Sequence, residues 1–316
     1  MYSIKRYTGL LLVLLLFAAC EKETNIDIAN RPAQLVVLGE LNQQDNGLVN
    51  LSTSVFSIVN SGFTDVEDAQ VSLFDQHNNL IQKYTYNGKG NYTGKPGTTG
   101  QSYKLTVDYK GKTHEGLTAI PSAFQLDVKD LESDYIDVGI NDLSPENNNY
   151  IFELLARNYT VDRYYFAQSQ KIKVNSEAEL LDQLSHNPGL QVERDTTFSP
   201  ELRKLIISTI DTRTENAKYN ELRDLSGRIF LKDKTFNGSG TTLEIRFHET
   251  EFKTENMQIT LSVKSVNPEY FNYLYAMDLQ QAKSTTGSLD VPLKGNMNNA
   301  LGIFGGCYIQ RIVVKK

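Results

Sequence analysis

The 316-residue sequence has no tryptophan, only two cysteines and only four histidines. Its longest apolar run, even counted generously as residues 9–19, is about half of the roughly 20 residues that a membrane-spanning helix needs. Each scarcity excludes something. With Cys20 and Cys307 as the only thiols, there is no disulfide framework of the kind that staples small exported domains. His77, His114, His186 and His248 are far apart and share no finger-like or helical spacing with another ligand, so a zinc site is not expected. No Lys/Arg cluster interrupts a chain of net charge −6, which argues against nucleic acid and against an anionic surface as partner.

What the amino terminus does contain is an address. Lys5 and Arg6 precede the apolar residues 10–17, which give way to Ala18, Ala19, Cys20 and then Glu21, Lys22 and Glu23. This is a secretory signal ending in a lipobox, with Phe17 where leucine is usual three residues before the cysteine. Residues 1–19 are read as the signal peptide, Cys20 as the lipidated first residue of the mature chain, and residues 20–32 as a polar tether. An ordinary cleaved signal is the rival reading. Two or three acyl chains anchor stably where one does not. Without Lys5 and Arg6 the mature chain carries 30 basic against 38 acidic residues, a balance of −8. No cofactor is expected apart from the covalent lipid.

Frequent Thr, Tyr, Val, Ile and Asn, with no Ala-rich helical stretches, point to an all-β or mainly β protein. Its length suits two domains, read as β-sandwiches over residues 33–121 and 122–316. In the first, strand patterns recur at residues 35–38, 49–53, 69–73, 80–86, 103–107 and 114–120, punctuated by the turns 87–91 and 96–97 and closed by Pro121. This count suits an immunoglobulin-like or transthyretin-like sandwich. Asp68-Ala69-x-Val71-x-Leu73 followed by Gly90-x-Tyr92 resembles carboxypeptidase-regulatory-like modules.

In the second region, strands are expected at residues 124–128, 136–140, 150–158, 164–174, 205–210, 227–231, 243–247, 257–266 and 308–314. Ile259, Leu261 and Val263 share one face. Ser176-Glu177-Ala178-Glu179 is a capping box opening a short helix that Pro188-Gly189 stops. Asn267-Pro268-Glu269 is the strongest helix start, with Asn as N-cap and Pro at N1, for a helix to about Ala282. That helix is apolar or aromatic nearly all round, which favours burial of two faces. The alternative is an exposed ledge in which Tyr270, Tyr273 and Tyr275 meet a ligand or partner.

Catalytic chemistry is hard to find. His248-Glu249-Thr250-Glu251 lacks the second histidine of a metalloprotease, no Gly-x-Ser-x-Gly is present, and Cys307 has no indicated base. Asp130 with Glu132 is one of many carboxylate pairs that arise by chance among 38 acids. The Asp and Asn residues of the 137–149 loop match no calcium-loop spacing, and a turn is the expected reading. Gly305-Gly306 lead into a strand and not a helix, so they suggest close backbone approach, with Cys307 as a small core residue, and not a phosphate loop.

Several stretches occur in one order: Cys20-Glu21-Lys22-Glu23 with its tether, the first strand from Ala33 to Gly39, Asp68-Ala69-x-Val71, Ser144 to Tyr150, Asp233-Lys234-Thr235-Phe236-Asn237-Gly238, Asn267 to Tyr275, and Asn298 to Gly305. Together they resemble the Bacteroidetes lipoproteins grouped as domain of unknown function 4249. The most specific part is the family's Asn-Gly-Leu-Gly-Ile-Phe, where this chain has Ala300 for the first glycine. The resemblance implies no catalytic residues. It implies an outer-membrane accessory lipoprotein of TonB-dependent nutrient uptake, displayed on the cell surface or facing the periplasm. The leading expectation is a non-enzymatic protein that assists a TonB-dependent receptor by binding that receptor or its ligand, with a glycan or peptide as the candidate ligand. A structural or adhesive surface module, and a surface hydrolase, are the alternatives.

Overall fold

The computed structural model describes residues 33–54, 63–132, 134–142, 144–146, 148–218, 227–247, 255–284 and 291–315. The signal peptide, Cys20 and the tether lie outside them, as do residues 248–251 and the side chain of Asp130. The first half contributes β1 (Leu35–Asn42), β2 (Gly47–Ser54), β3 (Phe63–Asp65), β4 (Gln70–Asp75), β5 (Leu80–Lys83), β6 (Thr85–Tyr86), β7 (Asn91–Gly94), β8 (Ser102–Tyr109) and β9 (Lys112–Ala119). The second contributes β10 (Gln125–Leu131), β11 (Tyr135–Asn141), β12 (Asn149–Ala167), β13 (Gln170–Val174), α1 (Glu177–His186), β14 (Val192–Phe198), β15 (Arg203–Lys204) and β16 (Ile207–Ser208). It continues with β17 (Ile229–Lys232), β18 (Gly240–Phe247), β19 (Met257–Val266), α2 (Pro268–Ser284) and β20 (Leu301–Lys315). The protein is mostly β, as composition implies.

One large sheet runs through both halves in the order β13-β12-β19-β20-β1-β2-β7-β6. Two four-stranded sheets pack on it, β5-β4-β8-β9 on the first half and β10-β11-β18-β16 on the second. The join is β20, which pairs antiparallel with β19 and parallel with β1, from Val36 opposite Leu301 to Asn42 opposite Cys307. A parallel pair needs a long crossover, and here almost the whole chain supplies it.

Alternation along the strands sorts the side chains into cores. Leu35, Val37 and Leu41 of β1 face Val71, Leu73, Leu105 and Val107 of the first small sheet. Tyr150, Phe152, Leu154 and Ala156 of β12 face Ile136, Val138, Leu243 and Ile245 of the second, together with Ile259, Leu261 and Val263 of β19. The intervening positions Ile151, Val266, Ile303, Cys307 and Ile309 face the other way and are roofed by α2. Phe304 belongs to the first core, and Tyr308 packs against the edges of the first and second.

Glycines make these approaches possible. Gly302, at φ +103, lies where a Cβ would strike the Val37 carbonyl, so the parallel pairing requires glycine there. The motif's other left-handed residue is Asn299 at φ 56, and Ala300 is not among the positive-φ positions. The alanine in place of the family's first glycine therefore strains nothing. Gly305 and Gly306 sit inside β20, which begins at Leu301 and not at Tyr308 as the sequence suggests.

Two further strands differ from expectation. The patterns at 150–158 and 164–174 are one 19-residue strand, β12, followed by a hairpin to β13. Its turn is Gln168-Ser169, at φ 48 and 63, and carries no Gly, Asn or Asp to announce it. β14 reads Val-Glu-Arg-Asp-Thr-Thr-Phe, too charged to be seen as a strand, and pairs with the distal half of β12, away from the main cores. Ser176 caps α1 as expected, its Oγ accepting from the Glu179 amide at 3.1 Å.

Candidate functional site

α2 starts where the two halves meet. Asn267 Oδ1 accepts from the Tyr270 amide at 2.8 Å, capping the helix, while its Nδ2 donates to Thr118 Oγ1 of β9 at 3.0 Å. The helix is thus tied to the first sandwich at its first turn. The carboxyl-terminal loop adds two more ties to β9: Asn298 N–H donates to the Glu115 carbonyl at 2.7 Å and Asn296 Nδ2 to the Leu117 carbonyl at 2.8 Å. These contacts occupy the otherwise open edge of β9.

The helix is buried along most of its length. Tyr270 is 6% exposed and Tyr273 5%, and Tyr275 is partly buried. The three tyrosines therefore do not form an exposed ledge, because the Tyr270 ring lies on Gly305, where a Cβ would overlap it, and Tyr275 packs edge-on against Phe230 at 5.4 Å. Phe271 meets Phe230 at 5.4 Å and 90°. The expected burial of the helix is the reading observed, and the helix roofs the large sheet.

Beneath that roof is a chain of ion pairs. Glu40 of β1 and Lys264 of β19 are two strands apart and join above β20 at 2.7 Å, and the Tyr270 hydroxyl donates to the same Glu40 oxygen at 2.6 Å. Further along, Glu153 receives Arg228 at 2.9 Å and Lys204 at 2.7 Å, and Arg228 reaches Asp278 of α2 at 2.7 Å. Burial alone would raise the Glu40 carboxyl, but the Lys264 ammonium outweighs it and leaves the pKa lowered. Burial likewise opposes the Lys264 charge, and Glu40 reverses that, so its pKa is raised. For Glu153, burial is overcome by Lys264, Lys204 and Arg228 together, and its pKa falls to about 2. Burial, then the Glu40 charge, pushes the fully buried Cys307 thiol well up, which keeps it a protonated and unreactive core residue. Every charged partner in this chain is satisfied by another, an arrangement suited to locking α2 onto the sheet.

The open feature is at the start of α2. A cleft of about 610 Å³ runs between the β4–β5 turn, β8–β9 and the helix's first turn. Tyr103, Leu117 and Pro268 give it apolar walls, and Lys104, Asn267 and Glu269 supply both charges and an amide at its rim. Leu117 is 65% exposed there. A concave site of this size, mainly apolar with a few convergent polar groups, is what a small ligand requires. Of its lining, sequence reading singled out only Asn267, Pro268 and Glu269, as a helix start; nothing local could show that residues 75–119 come to face them.

The other residues named from sequence do not converge. His77 is exposed on the β4–β5 turn, His186 is exposed at the end of α1, and His114 is buried in β9. Asp142 takes Ser144 N–H at 2.9 Å, Asn148 Nδ2 at 2.7 Å and the Tyr150 hydroxyl at 2.6 Å, so its oxygens are spent on holding the loop. Among the described residues no group of three or more His, Cys, Asp or Glu is placed to hold a metal ion.

Comparison with known proteins gives one decisive result. A family model matches residues 21–312, nearly the whole chain, and its description is Domain of unknown function (DUF4249). The chain belongs to that family. No curated protein matches this DUF4249 chain. Among solved structures, a DUF4785 family protein from Legionella pneumophila is 11% identical at a TM-score of 0.21, covering 73% of this chain and 51% of its own. The DUF4249 chain thus spans about half the length of that protein. A structure described as manganese lipoxygenase of Gaeumannomyces graminis with partial zonadhesin of Komagataella pastoris is 7% identical, covering 75% of this chain and 89% of that one at 0.19. The major pilin subunit BcpA of Bacillus cereus is 8% identical, covering 74% and 64% at 0.18. At such scores these likenesses carry no argument about the DUF4249 chain.

Proposed function

We propose that this DUF4249 protein is a lipid-anchored, non-enzymatic outer-membrane protein that serves a TonB-dependent uptake system as an accessory or ligand-binding subunit. The observation that carries the reading is the lipobox: a basic pair, an eight-residue apolar core and Ala18-Ala19-Cys20, followed by a polar tether, with the family match beginning at residue 21. No helix among the described residues is long and apolar enough to cross a membrane, so the acyl group on Cys20 is the anchor this reading requires. The cleft at the start of α2 supports a binding role, and its mixed walls suit a glycan or peptide ligand with both apolar and polar faces.

The test is purification of the native protein from mild-detergent extracts of its own membranes. A TonB-dependent receptor should co-purify in stoichiometric amount, and Leu117→Asp in the cleft should abolish binding of the ligand while leaving the fold intact. Recovery of the protein alone, from cells that express such receptors, would contradict the proposal.

A further inference from the structure

A second cleft, of about 860 Å³, opens where the chain enters the fold at Ala33. Gln34, just before β1, and Thr53 of β2 line it on one side, Lys110, Lys112 and His114 from the β8–β9 hairpin, and Asn299 from the loop before β20. Among the described residues no Asp or Glu lines it, in a chain of net charge −6. The hairpin turn is Lys110-Gly111, at φ 49 and 73, so one lysine sits in the two-residue turn and the second, Lys112, opens β9 beside it. Lys110 Nζ stands 5.0 Å from the Tyr109 ring centroid, which steadies it. Asp108, across the hairpin, accepts from the Thr113 hydroxyl. Glu115 is on the opposite face of β9 from His114 and pairs with Lys104 at 3.6 Å.

His114 closes the cleft from its buried side: it is 5% exposed and lines the hollow, with its Nδ1 sealed from solvent. Two lysines, an imidazole and an amide lining one hollow provide charge and hydrogen-bond donors of the kind that hold a tetrahedral oxyanion.

We propose that this cleft binds a phosphate group, with Lys110 and Lys112 supplying charge and His114 and Asn299 lining its inner wall. The position suggests one source. Twelve residues lie between Cys20 and Ala33, a reach of at most about 45 Å, so on the lipid-anchor reading the cleft lies within reach of the headgroup layer. A free phosphate or phosphate ester offers the same chemistry, and only the membrane source rests on that reading.

The experiment uses the mature chain carrying Cys20→Ser, so that binding does not depend on acylation. Inorganic phosphate and glycerol phosphate are titrated in by calorimetry. The same protein is floated with vesicles of phosphatidylglycerol in phosphatidylcholine, or of phosphatidylcholine alone. Expected is saturable binding to the soluble phosphates, to the phosphatidylglycerol vesicles or to both, weakened at least tenfold in Lys110→Glu/Lys112→Glu and unchanged in the exposed control Lys83→Glu. Binding to soluble phosphates marks a free anion as the ligand, and binding to vesicles alone marks the headgroup. No binding in either arm, or binding that survives the double substitution, overturns the proposal. Neither result bears on whether Cys20 is acylated, which fatty-acid labelling of the wild type reads separately.

Discussion

At Asp233 a carboxylate is held at 1% exposure, with Oδ2 accepting from the Asn148 amide at 2.7 Å and Oδ1 unpartnered. Burial, and then the neighbouring Asp142 charge, raises its pKa. Because the folded value lies above the unfolded one, the stability linked to this group is complete below the unfolded pKa of about 3.9 and is lost as pH rises through the raised value. Asp233→Asn keeps an acceptor for Asn148 and removes the charge. At pH 7 it should match or exceed wild-type stability, by up to about 1–3 kcal/mol, the cost of an unsatisfied buried group. Thermal melts from pH 3 to pH 8 check this, and a variant less stable at pH 7 would show that the charge is needed. Gly305 is the opposite case. Its Cβ position is filled by the Tyr270 ring, so Gly305→Ala should cost about 1–3 kcal/mol through forced repacking, read as a shift in the urea midpoint.

The helix α2 and the strands below it are held by apolar contact and by paired charges, and the two make different predictions. Lys264 and Glu40 are 16% and 26% exposed in their side chains, so removing one partner strands the other. Lys264→Met alone should destabilise by about 3 kcal/mol, whereas Glu40→Leu/Lys264→Met should recover most of that loss. A double-mutant cycle in urea measures the coupling, and additive effects would mean the pair does not function as a unit. Glu153 gives the pH signature of the same layer. Its pKa is depressed to about 2, so its contribution is present above the unfolded value of about 4.3 and is lost as pH falls towards 2. Glu153→Gln should therefore lower stability at neutral pH and flatten the acid limb of the curve. Much at this scale was legible in the sequence: the apolar run of β1, the strand patterns of β2, β4, β8 and β19, both helix starts and the burial of Tyr270 and Tyr273 follow from local pattern. The misses have local causes too. Gln168-Ser169 turns without glycine or asparagine, and β14 lies on an arm with little core to bury, so neither turn chemistry nor hydrophobic period marks it. Glu40 and Glu153 each interrupt an apolar run, but that pattern does not name a partner, and the one Glu40 meets lies 224 residues away.

For the molecule as a whole, β20 governs how the halves cohere. It lies between β19 and β1 in the middle of the large sheet, contributes to all three main cores, and brings the chain's last strand to its first described one. Such long-range pairing leaves no trace in local sequence, and neither cleft could be read in advance for the same reason. Residues 33–121 expressed alone would expose the β1 edge and lose Phe304 and Met297 from their core. That fragment should be unfolded or self-associating, with single-transition unfolding restored only in the full mature chain; a monomeric, cooperatively folded fragment would show that β20 is dispensable. Among the described residues these cores are built from Leu35 onward, so anchoring and folding should separate cleanly. Palmitate labelling and membrane fractionation of wild type beside Cys20→Ser is the most direct test of a lipid-anchored role. The wild type should carry label and sediment with the outer membrane, and the variant should be unlabelled, soluble and equally stable in thermal melts. A variant that remains in the membrane fraction, or an unlabelled wild type, would contradict it.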